Sequence, residues 1–132
     1  MYSDYLTWKK KYPNSVVLIK SGSFYRTYDN DAIILSYLCC YKVIKNVLGF
    51  PIRSLSKVLK ELKREEVNFV VDNDVHFSFE NDDNYLTLLN QSLEVYKLRV
   101  RIDKIYDYLN GNIERKFIKK VIDEIEEIIG ER

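Results

Sequence analysis

A chain of 132 residues is long enough for one domain to bury roughly two-thirds of the surface its unfolded form exposes, without help from a metal or a disulfide. Hydrophobic content of 46% beside 31% charged residues is the profile of a soluble globular protein rather than a membrane or fibrous one, and no apolar run approaches the roughly 20 residues of a membrane span. The net charge of +1 is unevenly spread: residues 1–66 carry 12 Lys and Arg against 6 Asp and Glu, and residues 67–132 carry 9 against 14. Such a split arises from chance surface composition or from a phosphate-facing first half. The opening Met1-Tyr2-Ser3-Asp4 lacks the basic-then-apolar order of a secretion signal, and Cys39-Cys40 are adjacent in an apolar segment. Buried, reduced thiols in a cytoplasmic protein without membrane contact are expected.

The first predicted element is a short helix over Tyr2 to Lys11, with Tyr5, Leu6 and Trp8 as its apolar pattern, broken at Tyr12-Pro13-Asn14. Its closing Lys9-Lys10-Lys11 reads as a solvated helix end that can also reach a nucleic-acid backbone. Ser15 to Lys20 is a continuous apolar run and predicts a buried strand. Ser21-Gly22 turns it into a second strand. There, period-2 alternation puts Phe24, Arg26 and Tyr28 on one face and Tyr25 and Thr27 on the other. Asp29-Asn30-Asp31 offers N-cap oxygens to a helix from Ala32 to Cys40. Tyr41 to Ile52 predicts a hairpin about a Lys45-Asn46 turn, and Ser54 caps a helix running to Arg64. Val67 to Val71 is a further strand, turned by Asp72-Asn73-Asp74 into Val75 to Phe79.

After Asn81-Asp82-Asp83-Asn84 the periodicity becomes helical, through Leu86, Leu89, Leu93, Tyr96, Val100, Ile105 and Leu109. Asn110-Gly111-Asn112 stops that helix, and Ile113, Phe117, Val121, Ile125 and Ile128 mark another. The predicted fold is α+β: a mixed sheet of five or six strands flanked by helices over residues 1–80, then an antiparallel helical hairpin over residues 84–130, packed on the same core. Surplus apolar positions on the hairpin (Val95, Leu98, Ile128 and Ile129) predict either a cover for the sheet or a surface for a homodimer or a larger partner.

Gly22-Ser23-Phe24-Tyr25-Arg26 followed by Asn30-Asp31-Ala32 resembles the G-D-F-Y-E…E-D-A signature of the N-terminal mismatch-recognition domain of the MutS DNA repair proteins. Gly49-Phe50-Pro51-Ile52-Arg53 is similar to that domain's G-[IV]-P-Y-H element, and the order of elements agrees over residues 2–72. Three departures stand out: Ser23 for the family's Asp, Arg26 for its Glu, and Arg53 for its His. The chain has no G-x-x-x-x-G-K-[ST] phosphate loop and no room for the clamp and lever regions of a full MutS, so a stand-alone domain without ATP-driven sliding is expected.

The resemblance implies that Phe24 projects and wedges at a weakly stacked base step; the residues alone read instead as a core strand phenylalanine. It implies that Arg26 replaces a carboxylate that bonds the displaced base and disfavours ordinary duplex, so general affinity rises and discrimination falls. Some eukaryotic members also lack that Glu and serve as the non-reading half of a heterodimer. Lys20, Lys42, Lys45 and Arg53 are candidate phosphate contacts, or solvated surface charges. The expected partner is DNA, with RNA as an alternative; no cofactor, metal or catalytic residue is expected. His76 reads as structural, and Asp72, Asp74, Asp82 and Asp83 as turn and cap residues. The alternative function is a protein-interaction or dimerisation subunit of a nucleic-acid-processing complex.

Overall fold

A computed structural model describes residues 1–72, 75–78, 83–111 and 114–130. The expected Asn73-Asp74 turn, Phe79, the Asn81-Asp82 break and the Asn112-Ile113 helix start lie outside the described residues. The chain forms two compact units, Met1–Tyr96 and Lys97–Arg132.

The first unit is built on a five-stranded mixed sheet in the order β3-β2-β1-β4-β5. Helix α1 (Tyr2–Lys11) leads into β1 (Val16–Ser21), β2 (Phe24–Tyr28) and α2 (Asp29–Cys39). Next come β3 (Val47–Pro51), a 3₁₀ turn (Ile52–Ser54), α3 (Leu55–Arg64), β4 (Phe69–Val71) and β5 (Val75–Phe77). The first half of α4 (Asp83–Gly111) closes the unit. Only β1 and β4 run parallel; the other neighbours are antiparallel. A two-residue loop joins β1 to β2, and Gly22 takes φ +60 there, a conformation glycine adopts without steric cost.

Strands at the centre of a sheet are covered on both faces, which is why β1 reads as unbroken Val16-Val17-Leu18-Ile19. One face carries the main core, where Val16, Leu18, Tyr25, Leu48, Phe50 and Phe69 meet α2, α3 and Tyr85, Leu88 and Leu89 of α4. The other face carries a smaller cluster of Tyr5, Val17, Ile19, Tyr28 and Val70 beneath α1, with Trp8 and Tyr12 at its edge. Thr27 is fully buried on the main-core face, and its Oγ1 has no hydrogen-bond partner among the described residues. An enclosed hydroxyl without a partner is unfavourable, so Thr27→Val is expected to raise stability by about 1–2 kcal/mol. A higher urea midpoint at unchanged slope would show it.

Four expectations need correction. Asp29, Asn30 and Asp31 do not cap α2: they form its first turn, Asp29 sits at φ 51, and no side chain caps the helix. The Tyr41-to-Ile44 arm is not a strand. Its single bridge pairs Ile44 with Val47, and Tyr41 instead stacks on Phe50 at 5.7 Å, which draws the chain off the edge of β3. Ser54 stands at the N-cap position of α3 but makes no side-chain cap bond, and a 3₁₀ turn precedes the helix, with the Leu55 N–H donating to the Ile52 carbonyl. Cys40 is exposed rather than buried, since it occupies the left-handed position ending α2 (φ 62). Burial, reinforced by Glu61, pushes the half-buried Cys39 thiol up to about 11. The thiolate is the nucleophile, so limited alkylation at neutral pH is expected to label Cys40 well before Cys39. Peptide mass mapping would report the order.

The second unit holds the rest of α4 and helix α5 (Arg115–Gly130), arranged as a hairpin in which Tyr108 meets Phe117 edge-on at 6.0 Å. No described residue from 97 to 130 is buried. Among the described residues no helix is long and apolar enough to cross a membrane.

Candidate nucleic-acid interface

On β2 the sequence alternation is realised with one addition. Tyr25 and Thr27 face the main core, while Phe24, Arg26 and Tyr28 share the opposite face. Helix α1 covers only the Tyr28 end of that face: Tyr2 and Tyr5 lie against the Tyr28 ring, both with centroids at 5.0 Å. Beyond the helix the sheet is open. Phe24 is 47% exposed and Arg26 is exposed beside it, so Phe24 is not a core residue.

The second wall of the open region comes from the chain between α2 and β3. Lys45 and Asn46 both adopt left-handed backbone (φ 52 and 65), the signature of a two-residue type I′ turn, closed by paired Ile44–Val47 hydrogen bonds of 2.9 and 3.0 Å. The Asn46 carbonyl accepts the Asp29 N–H at 2.9 Å, which ties this turn to the start of α2. Between wall and strand lies a groove of about 640 Å³, lined by Phe24, Arg26, Tyr41, Lys42, Ile44, Lys45, Val47 and Gly49. Gly49 is paired with Arg26 across the strands, and without a side chain it leaves the groove floor open beside the arginine stem.

The groove therefore joins apolar and aromatic surface to three cations, and among the described residues no carboxylate lines it. Four of the six candidate residues meet here: Phe24, Arg26, Lys42 and Lys45. The other two do not. Lys20 is paired with Tyr25, which puts it on the opposite face of the sheet from Phe24, and Arg53 lies in the exposed 3₁₀ turn past β3. Tyr41 and Ile44 belong to the groove and were not among the candidates; their apolar character within a predicted hairpin arm was the available signal.

Behind the open face stands a buried polar centre that the sequence did not disclose. The fully buried Asp31 carboxylate accepts hydrogen bonds from Tyr5 Oη (2.7 Å), the Val17 N–H (3.1 Å), Lys9 Nζ (2.8 Å) and Tyr85 Oη (2.5 Å). Lys9 also donates to the Ser15 carbonyl at 2.7 Å and sits over the Tyr85 ring at 4.3 Å. Lys9 is thus tied inward, which corrects its reading as part of a solvated helix end. Burial, then the adjacent Asp31 charge, raises both the Tyr5 and Tyr85 hydroxyls well above the usual tyrosine range. One carboxylate fastens α1, β1, α2 and α4 together. Among the described residues no group of three His, Cys, Asp or Glu side chains is placed to hold a metal ion. His76 stands in β5, paired with Val70.

A mixed sheet whose one face is half covered and half open, with an aromatic residue and cations at the open end, makes the first unit a small α+β module. The MutS domain I family profile matches residues 1–71, and the chain belongs to that family. It is similar to the DNA mismatch repair protein MutS of Bacteroides thetaiotaomicron, at 33% identity over 73 residues, covering 48% of this chain and 8% of that protein. It is similar also to the DNA mismatch repair protein MutS of Phocaeicola vulgatus, at 30% identity over 73 residues with the same coverage of 48% and 8%. The chain thus spans about 8% of the length of these curated relatives.

Proposed function

We propose that this protein binds nucleic acid through the Phe24 groove, without catalysis of its own, and prefers duplex that is mispaired, branched or otherwise easily deformed. The match to MutS domain I and the similarity to two DNA mismatch repair proteins support the class of function. The observation that carries the reading is the exposed Phe24 ring set beside Arg26, Lys42 and Lys45 in one groove that no described carboxylate lines. An apolar ring entering a base step costs a few kcal/mol of unstacking, and the cost is smallest where stacking is already weak. The three cations add phosphate attraction that does not depend on sequence. Arg26 in place of the family's Glu shifts the balance toward general affinity: a guanidinium is drawn to every phosphate, where a carboxylate is repelled by all of them.

The test is a binding titration against matched duplex, mismatched duplex, branched DNA and RNA at two salt concentrations. Binding should be tighter to mismatched or branched DNA than to matched duplex by a modest factor, and should weaken steeply with salt. Failure to bind any of the four would overturn the proposal in favour of a protein-interaction subunit.

A further inference from the structure

Gly49 lies inside β3, where a glycine weakens a strand that almost any side chain would strengthen. Its backbone does not require glycine. Its φ is not positive, unlike that of Gly22, and a Cβ built on it would meet the Tyr25 carbonyl oxygen at 3.7 Å and Arg26 Cγ at 3.8 Å, both ordinary contact distances. The fold thus has room for a side chain at position 49. What that side chain would fill is the groove, since Gly49 is part of its lining. A strand glycine without a conformational duty marks a place where something approaches the backbone closely.

Strand register sorts the groove into rows, because directly opposed residues share a face. Arg26 is paired with Gly49, Phe24 with Pro51 and Tyr28 with Val47, and Val47 in turn bridges to Ile44. Lys42, two residues back from Ile44, lines the groove with them. The middle row therefore sets two cations, Arg26 and Lys42, about the bare Gly49 backbone. To one side of it stands Phe24, and to the other stand Val47 and the 61% exposed Ile44. Residues two apart on a strand are separated by about 6.5–7 Å, so the two apolar rows are about 13 Å apart. Stacked neighbours on one strand of a duplex are about 3.4 Å apart. Two adjacent bases cannot touch both rows and remain stacked on each other.

We propose that the groove holds a splayed dinucleotide step of an unpaired strand: the phosphate rests on Gly49 between Arg26 and Lys42, one base lies on Phe24 and its neighbour on Ile44. A groove of about 640 Å³ is of the size that takes such a ligand. A cationic track for the backbone beside apolar platforms for successive bases is the means by which single strands are held. This inference rests on the nucleic-acid reading and narrows it. The ligand is a single-stranded segment, as at a branch, a gap or a frayed end, and a matched duplex must open before it enters.

The test is fluorescence anisotropy of the full chain with a short labelled oligothymidylate, beside matched and mismatched duplexes. Wild type should bind the single strand more tightly than the matched duplex. Gly49→Val should lose about tenfold or more in single-strand affinity, the scale of one lost base stack. It should melt at or above the wild-type temperature, because valine suits a strand better than glycine. Gly49→Ala repeats the test with a single methyl should valine disturb the sheet. Ile44→Ser, at an exposed position, should weaken single-strand binding several-fold at an unchanged melting temperature. Folded position-49 variants that bind the oligothymidylate as wild type does would overturn the proposal. A wild-type chain that binds duplex, matched or mismatched, but not the single strand also overturns it and leaves the nucleic-acid reading standing, whereas binding to no nucleic acid removes both.

Discussion

Replacing Asp31 with alanine is expected to cost about 3–5 kcal/mol of folding free energy, the range for removing one partner of a buried ion pair. In a unit of this size that lowers the melting temperature by roughly 15 °C or more. The substitution takes one acceptor from four donors at once: the Val17 N–H, the Tyr85 hydroxyl, the Tyr5 hydroxyl, which keeps the Tyr28 carbonyl, and the Lys9 ammonium, which keeps the Ser15 carbonyl. Lys9→Met should cost less, because the carboxylate keeps three of its donors. A thermal melt of both variants checks the order; equal losses would show that Asp31 does not hold the centre.

The same centre gives the protein an alkaline limit. Tyr5 and Tyr85 are held protonated in the folded state by burial and by Asp31, whereas in the unfolded chain they ionise near pH 10. A hydroxyl whose folded pKa is raised contributes its full stability below the unfolded value, and the contribution falls as pH rises beyond it. Each tyrosine should therefore remove roughly 1.4 kcal/mol per pH unit above about pH 10. Urea midpoints for wild type and for Tyr5→Phe between pH 9 and 11 would show a steeper decline in wild type.

Phe24→Ala should weaken nucleic-acid binding by roughly 1–3 kcal/mol, the range for losing one base–aromatic stack, or about 5- to 150-fold in affinity. Folding should change by less than about 1 kcal/mol, because the ring is 47% exposed. Arg26→Glu should weaken binding to every duplex and widen the preference for mismatched over matched duplex. The carboxylate is repelled by phosphate everywhere and recovers a hydrogen bond only from a displaced base. The two substitutions thus act differently: Phe24→Ala lowers affinity with little effect on the salt slope, whereas Arg26→Glu reduces that slope. An unchanged affinity in both variants would remove the groove from the interface.

The strand positions, and the shared face of Phe24 and Arg26, were legible because they follow from period-2 alternation beside a glycine turn, which is local information; that Phe24 projects was implied by the family resemblance alone. The Asp31 centre was not. Asp29-Asn30-Asp31 before an apolar run has the composition of a helix cap, and only the left-handed Asp29 makes those residues the first turn of α2. Lys9 was hidden among Lys10 and Lys11, since no local feature distinguishes the one lysine whose turn of helix faces the carboxylate. Tyr41 was misplaced for a similar reason. An aromatic residue ahead of a two-residue turn suits a strand, and it took the Phe50 ring, brought in by the sheet, to draw it elsewhere. The clustering of Lys42 and Lys45 with Phe24, and the separation of Lys20 from them, required knowing which strand lies between which.

Tyr28 stands under α1 while Arg26 and Phe24, two and four residues back on the same face, are exposed, Arg26 reaching only the Met1 sulfur at the head of the helix. A single five-residue strand thus assigns its anchoring and its contacts to different positions. Changes at residue 24 or 26 are largely invisible to folding, so the chemistry presented to a ligand can drift one residue at a time with little loss of stability. A change of charge at position 26 is the kind of exchange such a strand tolerates, and under the proposed function the partner preference would be free to evolve on a framework that stays the same.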